Sequence, residues 1–143
     1  MNSETAAPTE ELAAVQKLIA AGELPTAMKR LAALPESVRA SADALYMAAV
    51  CCRHMGDKPR AGEFLKLLLE TAPQHGRGHQ EQGHLLRELG NSADALAAYS
   101  RACRINPALE ASWRSQLNIL AALGGPGVEQ RKRHVTNQLD YLH

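Results

Sequence analysis

The breaks between the apolar stretches of this chain recur at one fixed spacing, and that spacing limits what it can fold into. Ala72-Pro73 and Asn106-Pro107 lie 34 residues apart, as do Gly56-Asp57 and Gly90-Asn91. Ala61 and Ala95 hold equivalent places. The same shift carries Leu65 to Tyr99, Leu68 to Ala102, Ala49 to Gly83, and Leu45 through His79 to Trp113. Gly124 extends the series from Gly90, and Gly22-Glu23, followed by Ala27 and Leu31, repeats it upstream of Gly56. So many coincidences in one phase define a tandem repeat. A unit of this length has room for a helix, a tight turn and a second helix. One such pair cannot bury its apolar face alone, so neighbouring pairs must stack.

Within each repeat the apolar residues follow a helical period. The pattern predicts eight helices: from Thr9 to Ala21, Leu24 to Leu34, Ser41 to Met55, Pro59 to Thr71, Gly76 to Leu89, Ser92 to Ile105, Leu109 to Leu123, and Val128 to His143. The loops between them are short, so neighbouring helices run antiparallel. Composition agrees. The 143 residues are 45% hydrophobic and 22% charged, with Ala and Leu dominant and aromatics at only 3%, which favours helix over a sandwich or barrel. A chain of this size buries roughly two thirds of its unfolded surface and needs no disulfide or metal to hold a core. Cys51, Cys52 and Cys103 are an odd count without framework spacing, which fits a cytoplasmic protein, and Cys52 and Cys103 read as small apolar core residues. The opening residues MNSETAAPTE lack the basic start and apolar core of a signal peptide. No run is long enough to span a membrane.

A 34-residue helix–turn–helix period resembles the tetratricopeptide repeat. The clearest copy runs from Gly76 to Pro107, where Gly83, Gly90, Ala95, Tyr99, Ala102 and Pro107 match the consensus. The copy from Ala42 to Pro73 keeps Leu45, Ala49, Gly56, Ala61, Leu65, Leu68 and Pro73. A third copy has Trp113 and Gly124, but its second helix loses the pattern, with Glu129 where a small residue belongs. The resemblance implies an all-α, right-handed α-α superhelix. Its layout is a flexible N-terminus over 1–8, a degenerate hairpin over 9–41, repeats over 42–75 and 76–109, and a partial repeat with a capping helix over 110–143. Small residues such as Gly83 and Ala95 let paired helices approach. Tyr99 and Leu65 are expected to fill the space between repeats.

No catalytic or cofactor apparatus emerges from the residues. His75, His79 and His84 are close in sequence, yet Gly76 and Gly78 place His75 in a turn, and the order lacks H-E-x-x-H. His79 takes the place of Leu45 and Trp113, a packing position, so no metal is expected. There is no phosphate-binding glycine loop, and Gly124-Gly125-Pro126-Gly127 reads as a turn. The basic run Arg131-Lys132-Arg133-His134 reads as the solvated face of a terminal helix. With a net charge of +1 and no aromatic platform, the chain is not expected to bind nucleic acid or a membrane.

What the resemblance does imply is a surface. In tetratricopeptide proteins the first helix of each repeat lines a groove that holds partner segments. Carried onto this chain by phase, the groove residues are Tyr46, Val50 and Arg53, then Arg77, Gln80, His84 and Arg87, then Arg114 and Asn118. Gln80 and Arg114, His84 and Asn118, and Arg53 and Arg87 are each 34 apart and form rows. Guanidinium forks and amides suit an acidic or C-terminal peptide segment. The Lys and Asn set with which some members clamp chaperone tails is not reproduced. The expected molecule is a non-catalytic protein-binding module without cofactor, a monomer or weak homodimer. An alternative comes from the stretch Gly78 to Gly90, with Ala95-Leu96-Ala97-Ala98-Tyr99 and Asn106 to Arg114. It is similar to the N-terminal repeats of bacterial proteins that carry a C-terminal sulfotransferase domain. On that reading the chain is a regulatory or substrate-access fragment whose catalytic domain lies outside it.

Overall fold

The period written into the breaks is a period of turn chemistry. The computed structural model describes residues 8–143, and every regular element among them is an α-helix. They are α1 (Pro8–Ala20), α2 (Leu24–Ala32), α3 (Glu36–Arg39), α4 (Ala42–His54), α5 (Lys58–Thr71), α6 (Gly76–Glu88), α7 (Ser92–Ile105), α8 (Glu110–Leu123) and α9 (Val128–Leu142). At the end of α4, Gly56 adopts φ +84° and the N–H of Asp57 reaches back to the Cys52 carbonyl at 2.8 Å. At the end of α6, Gly90 adopts φ +82° and the N–H of Asn91 reaches Leu86 at 2.9 Å. This left-handed closure satisfies carbonyls that the helix end would leave open, and glycine enters it without a Cβ penalty. The residue after each glycine then starts the next helix. Asp57 accepts from the N–H of Arg60 at 3.2 Å, and Asn91 accepts from that of Asp94 at 3.4 Å. One Gly-Asp or Gly-Asn dipeptide thus ends one helix and begins another.

The other breaks are made by proline. Helix α5 ends before Pro73 and α7 before Pro107, where Asn106 is extended at φ −138° and ψ +96°. His75 begins α6, its Nδ1 accepting from the N–H of Gly78 at 2.8 Å, so it lies in the turn as the neighbouring glycines require.

Nine helices appear among the described residues where the apolar pattern predicts eight. The added one is the single turn α3. Pro35 caps it, with its carbonyl accepting from the N–H groups of Val38 and Arg39, both at 2.9 Å. One turn is too short to display an apolar period. The flexible segment expected over 1–8 falls largely outside the described residues; Pro8 itself opens α1.

The helices form two compact units that divide between Pro73 and Gln74. In the first, α1, α2 and α4 enclose Val15, Ala27, Leu31, Ala44, Ala48 and Cys51. In the second, α7, α8 and α9 bury Leu96, Tyr99, Cys103, Trp113, Leu120, Val135 and Leu139. Helix α9 lacks the consensus yet packs firmly, because Val135 and Leu139 recur four residues apart on one face. Tyr99 belongs to the cluster that joins α7 to α8 and α9, and it also packs within its own repeat. Its ring lies against Gly83 of its own hairpin, where a Cβ would come within 2.7 Å of a ring carbon. Cys52 and Cys103 are buried as expected, Cys51 is buried as well, and all three are free.

Candidate functional site

The expected groove residues fall in both units. Tyr46, Val50 and Arg53 are half-buried on α4, and Arg53 donates to the His54 Nε2 at 3.2 Å. The remainder lie on α6 and α8 of the unit that starts at Gln74.

Two side-chain hydrogen bonds fasten α6 to α8. The Ser112 hydroxyl, fully buried, donates to the Gln80 Oε1 at 2.7 Å. One turn along, the Arg87 Nη1 donates to the Ser115 hydroxyl at 3.4 Å. The Arg87 guanidinium also lies over the Tyr99 ring, 5.8 Å from its centroid, which orients the fork without neutralising it. The Tyr99 hydroxyl stands 2.6 Å from the His84 Nδ1, and the two rings meet edge to face. Gln80, His84 and Arg87 therefore form one connected surface with buried footings. Ser112 and Ser115 were not legible as part of it. Their trace in the sequence is a pair of small polar residues three apart on a helix whose buried face also carries Trp113, Ile119 and Leu120.

Charge along this surface is uneven. Arg77, Arg87, Arg114 and Asn118 are exposed. Arg114 bonds to the Glu110 carboxylate at 2.6 Å on its own helix, and the same oxygen is 2.6 Å from the His143 Nε2. These bonds, that from Arg114 foremost, hold the Glu110 carboxyl below the usual carboxylate range. Glu110 accordingly stays ionised and offsets Arg114. An exposed pair of this kind is screened by water and contributes little, so an incoming carboxylate can compete for the guanidinium.

The histidines near the start of α6 take separate roles. His75 caps the helix, His79 is buried as packing requires, and His84 meets Tyr99. Among the described residues no three of His, Cys, Asp and Glu converge as a metal site. No described helix is long and apolar enough to cross a membrane.

A family model described as tetratricopeptide repeat matches residues 77–109, the stretch that holds α7 and nearly all of α6. No curated protein matches the sequence. Solved structures share the fold, among them two of MamA. "Crystal structure of MamA" aligns over 94% of this chain and 80% of its own, at 15% identity and a TM-score of 0.79. "Crystal structure of MamA protein" aligns over 94% of this chain and 70% of its own, at 14% identity and a TM-score of 0.70. Neither comparison supports the sulfotransferase association. Residues 77–109 thus match the tetratricopeptide repeat, and the chain shares the all-α fold of those two structures.

Proposed function

We propose that the chain is a non-catalytic module that binds a protein partner through the first-helix face of its repeats. The partner supplies an acidic or C-terminal peptide segment. The observation that carries this reading is the α6–α8 surface, where Arg87 is exposed yet held by Ser115 and Tyr99. Side chains fixed before binding lose less freedom when a ligand arrives. Arg77 and Arg114 extend the cationic row, and Asn118 and Gln80 provide amides for peptide backbone. In the other unit, Tyr46, Val50 and Arg53 offer the corresponding positions on α4.

Charge reversal tests this directly. Arg87 and Arg114 are exposed, so Arg87→Glu with Arg114→Glu leaves helicity and melting behaviour nearly unchanged. Affinity capture with the native chain and the double variant should retain partners in the first case and lose them in the second. Equal capture by both would place recognition elsewhere.

A further inference from the structure

The unit that starts at Gln74 holds a cleft of about 460 Å³ between α7, α8 and α9. It shares no residue with the α6–α8 surface. Trp113, Leu120 and Val135 form its apolar wall. The indole is fixed: its N–H donates to the Pro107 carbonyl at 2.8 Å, and the His134 ring meets it edge to face at 5.9 Å. Arg104 and Arg131, both exposed, also line the cleft, and neither forms an ion pair with a described residue. No carboxylate lines it. Burial pushes the Cys103 thiol in its wall up to about 12, so sulfur adds no negative charge at neutral pH.

The cleft is a product of the repeat. In the other unit a cleft of about 240 Å³ is lined by Ala32 and Ala48, two periods before Ser100 and Gln116 in this one. There the cation of Arg60 lies 4.0 Å from the Asp57 carboxylate and over the Phe64 ring. Arg39 also lines that cleft and forms no ion pair with a described residue, so stacking opens a cationic wedge in both units; the one near the C-terminus is the larger and presents two such arginines.

We propose that the cleft between α7, α8 and α9 is a second binding site, taking a short partner segment with a carboxylate side chain beside an apolar one. Its volume is at the lower end of the range of ligand sites, roughly 300–1,000 Å³. A helix about 10 Å across does not enter, but a pair of adjacent side chains does. The apolar one would lie on Trp113 and Leu120, and the carboxylate between Arg104 and Arg131, whose planar forks match it. Ser100 and Gln130 at the cleft offer hydrogen bonds to peptide backbone.

Trp113 is the only tryptophan and stands in the wall of the cleft, so its fluorescence reports binding there. The full chain is titrated with acetyl-Leu-Glu-amide, with acetyl-Leu-Gln-amide as its neutral analogue and hexanoate as a free small acid. The acidic peptide should give a saturable change, and the neutral analogue should bind at least tenfold more weakly. Arg104→Gln with Arg131→Gln should weaken the acidic peptide about tenfold. Arg87→Glu with Arg114→Glu should leave it unchanged, which separates this site from the first-helix face. Absence of saturation, equal binding of the two peptides, tighter binding of hexanoate, or loss on the Arg87 and Arg114 changes would each overturn the proposal.

Discussion

At the scale of single residues, position 83 shows how a repeat specifies its own geometry. A glycine in a helix interior is intrinsically unfavourable relative to alanine by about 0.5–1 kcal/mol. Here that preference loses to packing. A Cβ at Gly83 would meet three ring carbons of Tyr99 between 2.7 and 2.9 Å, and the ring is fully buried with no room to retreat. Gly83→Ala should therefore destabilise by about 1–3 kcal/mol, read as a lower midpoint in urea unfolding; a neutral or stabilising result would mean that the ring yields. The thiols give a second test. Burial pushes Cys51 up to about 11 and Cys103 up to about 12 from 9.0. On raising the pH, the unfolded chain loses these protons first, so the native state binds more of them and stability falls between about pH 9 and 12. Cys103→Ala should flatten that decline when midpoints are compared from pH 8 to 11, and parallel curves would contradict the assignment. Gly83 was readable because it is small where the period demands it. The meeting of the Tyr99 ring with Gly83 was not, since phase gives a position along the helix but not which neighbour a ring meets.

At the scale of elements, the turns were the most legible part. Gly56 and Gly90 carry the same left-handed closure, and Asp57 and Asn91 the same cap, because both tasks depend on residues adjacent in sequence. Helix α3 and the seating of α9 were hidden for opposite reasons. The first is too short for a period. The second trades consensus residues for Val135 and Leu139, whose burial depends on partners from α7 and α8. If α9 completes this core, Leu139→Ala should cost about 2–4 kcal/mol in unfolding followed by Trp113 fluorescence. A change below about 0.5 kcal/mol would show α9 to be loosely attached.

At the scale of the whole molecule, the repeat period made the all-α fold readable from end to end, while the candidate surface was only half readable. Phase put Arg77, Gln80, His84, Arg87, Arg114 and Asn118 on first helices. It did not reveal that Ser112 and Ser115 tie those helices together, because such contacts join residues through space at distances no period records; the offset of Arg114 by Glu110, four residues away on one helix, is by contrast a pair that helical spacing allows. Function on this account is the holding of an anionic segment by arginines set in a stacked frame. Fluorescence anisotropy of a labelled oligoglutamate peptide with a free C-terminal carboxylate tests that claim most directly, titrated with the native chain and with Arg87→Glu plus Arg114→Glu. The account predicts saturable binding that weakens as salt is raised and falls at least tenfold in the double variant. An isotherm indifferent to both salt and charge reversal would contradict it.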